Sequence, residues 1–583
     1  MLFVQTRSQG ILGSILCALS LLGTTMGYQN PIIPGFNPDP TILRTGNDYF
    51  IATSTFEFFP GIPIYHSKDL IKWTTIGHAF NRPSQLMMRG TAPSGGLFAP
   101  TLRYNKGYYY LITTWFDIIN PPDNVTRTPR SMYVKTKNIF DETQWSEPVY
   151  VDQWGFDPDL FFDNDGKIYL SSTFGANDFG HPNSGYRYLH NSFNSSWLTN
   201  TLRRSSYFSI FTSEIDIKTG DALTESRFSH QSPLPLDTPR LAEGSHIYKI
   251  NGTYYLMTAE AGTEVQHRAM SYRSTVGPYG PWEASPYNPI LFNGRNLSQS
   301  ILATGHADIV QTPNGDWWAV FLGIRPQNPT NTSGLPQLGR ETFLAPVEWT
   351  KDGWYTINSG KDITFSMPGL YDLNLPKVWK DSFKGKCDFA DKNYYTVRTP
   401  YKPFHTFPKT GGLNLKGNVY SLNDRETAAA FFRKQADIST TFSTKLKFSP
   451  TSTRHEAGVT IYLSIHYHNE IGITINPGSN NTAIFATTRS GENATTNTTY
   501  VDLPSGVNEA RLFIKAGPSK YSLGYAVGNA SPTYIASVES RWLQSYLKGW
   551  QNFVGPHFGV YTSGNGLPIL QSANFAYVQT ERD

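Results

Sequence analysis

From about residue 28 to 360, short runs alternate apolar or aromatic residues with polar ones, and Gly, Pro, Asn or Asp bounds each run. Period-two alternation between turn residues predicts strands rather than helices. Thr101-Leu102-Arg103-Tyr104 and His246-Ile247-Tyr248-Lys249-Ile250 are examples. Five times a glycine opens such a run: Gly46 before Tyr49-Phe50-Ile51, Gly107 before Tyr108-Tyr109-Tyr110, Gly166 before Ile168-Tyr169-Leu170, Gly252 before Tyr254-Tyr255-Leu256, and Gly315 before Trp317-Trp318-Ala319. A sheet unit recurring about every sixty residues cannot bury its own apolar faces and must stack on its neighbours. Outer strands follow in each unit, and turns ending in Trp73, Trp145 and Trp282 read as packing between adjacent units. Four-stranded units around a channel predict a five-bladed β-propeller. A solenoid fits less well, because the repeat lengths vary and the third unit carries an insertion around residues 175 to 235.

The texture changes after a Pro-containing connector, Met367-Pro368 through Leu375-Pro376. From Trp379 the strands become Thr- and Ser-rich, as in Ala457-Gly458-Val459-Thr460-Ile461 and His468-Asn469-Glu470-Ile471-Gly472-Ile473, and the chain closes with Phe558-Gly559-Val560-Tyr561. These features predict a β-sandwich. The expected organisation is all-β: propeller 28–360, linker 361–378, sandwich 379–583.

Composition narrows the class further. At 583 residues with 16% charged and 14% aromatic side chains, the chain suits turn-rich β domains and excludes disorder. A net charge of +4 without Lys/Arg clusters gives no case for a nucleic-acid partner. Arg7, the apolar stretch Ile11 to Leu22 and the small residues before Tyr28 form a secretory signal over residues 1–27. That stretch is too short to span a bilayer and no other long apolar segment exists, so a secreted, extracellular protein is expected. Cys17 leaves with the signal and Cys387 stands alone, which excludes an internal disulfide and a cysteine metal cluster. Sequons at Asn124, Asn194, Asn251, Asn296, Asn331, Asn480, Asn493, Asn497 and Asn529 fit a glycoprotein.

Just upstream of the five glycines, in one slot of each repeat, stand Asp39, Thr101, Asp157, Glu243 and His306. If the repeats surround an axis, these positions face it and three carboxyls converge. Asp39 lies between Pro38 and Pro40, which deny ladder hydrogen bonds and place it at a strand entrance. Alternation puts Asp157 and Asp159 on one face, while Asp163 and Asp165 fall in the following turn and read as solvated. Glu243, flanked by Ala242 and Gly244, can be desolvated enough to hold a proton. His306 can orient a carboxylate or contact substrate. As a lone histidine it is no metal signature, so no cofactor is expected; a calcium ion near the axis would be compatible with a propeller but has no support in the residues.

These motifs resemble glycoside hydrolase family 43, in the β-xylosidase and α-L-arabinofuranosidase branch with a C-terminal concanavalin A-like sandwich. The resemblance rests on Gly35-Phe36-Asn37-Pro38-Asp39-Pro40, Ser54-Thr55-Phe56-Glu57-Phe58, Phe156-Asp157-Pro158, Ala242-Glu243-Gly244, Glu260-Ala261-Gly262-Thr263, Gly305-His306-Ala307-Asp308 and Leu338-Gly339-Arg340-Glu341-Thr342, in that order along the chain. It implies a general base at Asp39, a general acid at Glu243, and at Asp157 a carboxylate that tunes and orients the acid. It also implies a terminal-sugar subsite lined by Phe56, Thr263, His306 and Arg340, with Phe553 reaching back from the sandwich. Two departures stand out: Phe98-Ala99-Pro100 replaces a frequent Trp-Ala-Pro, which alters the pocket wall, and Ser245 replaces a common Pro.

Physical chemistry agrees with these roles, since glycoside hydrolysis needs one carboxyl to protonate the leaving oxygen and another to activate water. An ionised Asp157 beside Glu243 would help keep the acid protonated. The reading is therefore an exo-acting, inverting β-1,4-xylosidase acting on xylo-oligosaccharide or arabinosylated hemicellulose. An α-L-arabinofuranosidase or a bifunctional enzyme is the near alternative, and a non-catalytic carbohydrate-binding propeller a remote one.

Overall fold

The computed structural model describes residues 27–119, 128–175, 207–235, 238–327, 336–370, 376–385, 389, 391–544 and 552–583. The predicted signal segment up to residue 26, Cys387, and the sequons Asn124, Asn194 and Asn331 lie outside them. Five four-stranded antiparallel units follow one another and form the blades, the third and fourth joined by a short parallel pairing of Tyr207 and Phe208 with Arg240 and Leu241. Blade I comprises Thr41–Thr45, Asp48–Ala52, Gly61–Ser67 and Thr74–Phe80; blade II comprises Gly96–Asn105, Tyr108–Phe116, Arg130–Thr136 and Val149–Tyr150. Blade III comprises Phe156–Phe162, Ile168–Gly175, Tyr207–Glu214 and Arg227–Gln231; blade IV comprises Arg240–Ile250, Thr253–Glu260, Arg268–Ser274 and Glu283–Ala284. Blade V comprises Leu302–Gln311, Trp317–Pro326, Pro336–Trp349 and Tyr355–Ile357. Together with the sandwich that follows, this is the predicted fold class.

Each of the five repeat glycines sits in the turn between the first two strands of its blade, with φ between 60° and 94°. An L side chain adopts that backbone reluctantly, which is why glycine recurs there. Trp145 is buried in the apolar layer shared by blades I and II, as its turn position predicts. One expectation needs correcting. The segment 175–235 is not all insertion, because Tyr207–Glu214 and Arg227–Gln231 are blade III's own outer strands. Asp163 is likewise not a solvated turn acid: it is buried and bonded to Lys249 Nζ and Tyr254 OH, both at 2.7 Å.

The ring is closed by its N-terminal end. Gly27–Gln29 pairs with Ser366–Pro368, so the segment read as a connector contributes a strand. The side-chain amide of Asn30 brackets the backbone of Leu344 in blade V, donating to its carbonyl and accepting from its N–H, and Tyr28 OH donates to the same carbonyl.

The sandwich stacks a six-stranded sheet, which includes Glu456–Tyr462 and His557–Ser563, on an eight-stranded one, which includes Thr440–Lys447 and Ser572–Arg582. Val459, Ile461, Leu512, Ile514 and the stacked pair Phe442–Phe558 fill the space between. The outer face of the six-stranded sheet packs on the propeller, where His557 stacks on Phe58 at 3.9 Å. Thr396–Val397 also pairs with Phe58–Phe59, so backbone ladders cross between the domains.

Candidate active site

Four of the five inner strands carry a β-bulge at the same height, between Phe98 and Thr101, Phe156 and Asp159, Glu243 and His246, and Gly305 and Asp308. A bulge breaks the pleat and re-aims a side chain, and here it turns the slot residues toward the axis. Asp39 (φ 55°), Asp157 (φ 49°) and His306 (φ 50°) hold left-handed backbone, as does Gly244 (φ 54°) in the matching place of blade IV. Such conformations persist only where the surroundings over-determine them, and they cluster at functional sites. Gly244 is required twice over, since a Cβ there would lie 2.8 Å from the His306 ring.

The side chains converge on one cavity of about 240 Å³, bordered by Asp39, Asp157, Glu243, Phe56, Phe98, Thr263, His306, Arg340 and Phe553. All nine residues singled out in the sequence are therefore brought together. The cavity is smaller than the roughly 300–1,000 Å³ of drug-sized clefts, which suits one sugar ring.

Asp39 is buried and accepts from Ser54 Oγ at 2.6 Å and from Arg340 Nη1 at 2.9 Å. Among the described residues it is the one of the three acids in contact with a countercharge. Arg340 also reaches Thr263 Oγ1 at 3.3 Å and the Phe553 carbonyl at 3.2 Å, and lies over the rings of Phe56 and Phe553. Loss of hydration raises the Glu243 carboxyl well above the usual range, helped by the charges of Asp157, Glu264 and Asp39 and only partly offset by Arg340. Asp157 is pushed up as well, first by burial and then by Asp39, against Arg340 and a hydrogen bond from the Gly244 backbone N–H. Burial, rather than an ionised Asp157, is thus the first cause of the Glu243 shift; Asp157 comes second and is itself pushed toward its protonated form. His306 is buried and neutral near pH 7, its value lowered to about 4 chiefly by desolvation, with Nδ1 3.7 Å from Asp39 Oδ1.

Phe56 stacks on Phe553 at 5.8 Å and meets Phe98 edge-on at 4.7 Å. From Phe98 the aromatic wall runs on through Phe116, Phe156 and Phe208, each ring 4.9 to 6.2 Å from the last. Phe553 can reach the mouth because two glycines let the domains touch: a Cβ on Gly339 would lie 2.9 Å from Gly555, and one on Gly555 would lie 2.6 Å from the Leu338 carbonyl.

Sequence reasoning missed Phe116, Ile119, Phe208, Leu241, Glu264 and His267, which also border the cavity. Glu264 directly follows Thr263 and was the legible one; the others become neighbours only through blade packing. His267 is buried and neutral, lowered to about 3 by desolvation, and its Nδ1 lies 3.1 Å from the Ala303 carbonyl. Asp159 does not enter the cavity: it pairs with Arg103 below it. Among the described residues no group of three or more His, Cys, Asp or Glu side chains gathers to hold a metal ion.

A propeller that carries a buried carboxyl pushed above the usual range, a guanidinium-paired carboxylate and an aromatic wall in one sugar-sized pocket defines a glycoside-hydrolysing class of enzyme. Residues 28–355 match Glycosyl hydrolases family 43, and residues 380–581 match the domain described as Beta xylosidase C-terminal Concanavalin A-like domain. The chain belongs to glycosyl hydrolases family 43. It is 35% identical over 556 residues to a non-reducing end α-L-arabinofuranosidase from Bacteroides ovatus, covering 94% of this chain and 93% of that one. It is 29% identical to a β-xylosidase from Bacillus subtilis, covering 95% and 99%. Among solved structures, a xylan β-1,4-xylosidase from Bacillus halodurans superposes with a TM-score of 0.80 at 28% identity, over 95% of this chain and all of that one.

Proposed function

We propose that this glycosidase removes single pentoses from the non-reducing ends of xylan-derived oligosaccharides, with inversion, as a β-1,4-xylosidase. The observation that carries the reading is the division among the acids: burial raises the Glu243 carboxyl well above the usual range, while Asp39 accepts from Arg340 in the same cavity. In that reaction Glu243 gives its proton to the leaving glycosidic oxygen as the bond to the anomeric carbon breaks. A water bonded to Asp39 attacks the opposite face and loses its proton to that carboxylate. Asp157, accepting from the Gly244 amide, acts on Glu243 rather than on the sugar. Inversion needs space for the water, roughly 6.5–9.5 Å between the two working carboxyls. Phe553 and the sandwich close one side of the cavity, which favours release of terminal units over cleavage within a chain.

An α-L-arabinofuranosidase is the second reading. It is supported by the Phe98 wall, where the family often carries a tryptophan, and by the name of the Bacteroides ovatus relative. Rates on paired aryl β-D-xylopyranoside and aryl α-L-arabinofuranoside separate the two, and a large preference for the furanoside overturns the first. Proton NMR of the first anomer released tests inversion. We also infer that the mature enzyme acts outside the cell. The six described sequon asparagines, Asn251, Asn296, Asn480, Asn493, Asn497 and Asn529, are all exposed, which suits glycosylation. N-terminal sequencing of the product secreted by a eukaryotic host, with and without deglycosylation, checks both points.

A further inference from the structure

Beneath the three site acids lies a second polar layer that proton transfer does not use. Strand alternation creates it. Thr41, Asp159 and Asp308 follow Asp39, Asp157 and His306 by two positions, and His246 follows Glu243 by three because of the bulge. Arg103 of blade II stands at its centre. Its guanidinium lies 2.7 Å from Asp159 Oδ1 of blade III and 3.2 Å from Asp308 Oδ2 of blade V, and it donates to His246 Nδ1 of blade IV at 3.0 Å. Asp308 in turn accepts from Thr41 Oγ1 and the Ile42 amide of blade I, at 2.7 and 3.0 Å, and from Tyr248 OH of blade IV at 2.7 Å. Asp159 Oδ2 accepts the Ile247 amide at 2.9 Å. One guanidinium and two carboxylates thus link all five blades directly under the acid and the base.

We propose that Arg103 is a positioning residue for the hydrolysis, setting the blade register that holds Glu243 and Asp39 at their working separation without touching the sugar. Arg103 does not border the cavity. The apolar layers between blades tolerate small slips, whereas a fork shared by two buried carboxylates and an imidazole has one good geometry. A displacement near 1 Å at the reacting groups costs about 10²-fold in rate. Because the binding groups Arg340, Thr263 and Phe553 are held by other contacts, the loss falls on kcat rather than on KM.

The inference rests on the acid–base reading of the cavity, but the two fail separately: that reading falls if Glu243→Gln keeps its turnover, this one if Arg103 variants do. The test compares Arg103→Lys and Arg103→Met with the parent enzyme on whichever aryl pentoside is turned over faster. Arg103→Met is expected to lower kcat about 10²-fold with KM changed less than about threefold, and guanidinium chloride at tens of millimolar is expected to restore about tenfold of the loss. Arg103→Lys keeps the charge but loses the fork, and is expected to fall in between. Parental kcat in either variant, or equal losses in kcat and 1/KM with no guanidinium rescue, overturns the proposal. If Arg103→Met does not fold, the Arg103→Lys split between kcat and KM decides it by the same criteria.

Discussion

The two polar layers on the propeller axis share residue types, burial and the strands that supply them, yet they hold protons in opposite ways. In the upper layer Glu243 and Asp157 are pushed up first by burial and then by neighbouring carboxylates, with Arg340 and, for Asp157, the Gly244 amide against them. In the lower layer burial of Asp308 is outweighed by His246, Arg103 and hydrogen bonds from Tyr248 and Thr41, which bring its value down to about 2. Burial does not by itself decide the charge of a carboxyl; the number of partners aimed at it does. The same ring of strands therefore raises carboxyls at one height and depresses one in an ionic tie one layer below.

The sharpest way to break that contrast is Glu243→Gln. Turnover of unactivated xylo-oligosaccharide should fall by about 10²–10⁴-fold. Because a raised carboxyl binds its proton more tightly in the folded state, parental stability declines as pH rises from the ordinary carboxyl range through the raised value. Glu243→Gln removes that decline, so its Tm at pH 7 should exceed the parent's, with the gap closing near pH 4; a lower Tm at pH 7 contradicts the upper-layer account. Arg340→Met comes next. Removing the one cation of that layer leaves Asp39 unpaired, and kcat/KM should drop by about 10²-fold, in keeping with the ~2–5 kcal/mol lost when a buried charge pair is truncated.

In the lower layer the sign reverses. A depressed carboxyl stabilises the fold above its unfolded pKa, and that contribution disappears as pH falls from about 4 through about 2. Its size is about 2 kcal/mol. Asp308→Asn should flatten urea midpoints over that window, and an unchanged acid slope would show that Asp308 is not the group responsible. The smallest effect concerns the wall. Phe553→Ala should raise KM about tenfold with kcat little changed, as expected for one apolar group lost from a pocket. A fall in kcat alone would mean that the sandwich aromatic acts on the chemistry and not on sugar retention.

Some of this was legible in the residues alone. The turn glycines mark the start of the second strand in each blade, and counting upstream from them reaches Asp39, Asp157, Glu243 and His306. A hairpin is a local object, and its chemistry lies within a few residues. Asp159 shows the limit. Alternation puts it on the face of Asp157, but two positions along a strand are about 6.6 Å, which sets it one layer deeper against Arg103. Asp163 shows another: its neighbours in sequence suggest a wet turn, while Lys249 and Tyr254 of the next blade make it a buried anchor. Phe208 carries no motif at all and earns its place only by lying 5.2 Å from Phe156.

The sequence by itself determined the repeat, the all-β class, the two-domain order and the identity of the acids, because those follow from periodicity and turn chemistry over short stretches. Only the tertiary structure decided which carboxyls are pushed up by burial, which one meets Arg340, and that Arg103 ties the blades beneath them. Those outcomes depend on desolvation and on charges brought together from positions as far apart as Asp39 and Arg340, and no local pattern encodes either.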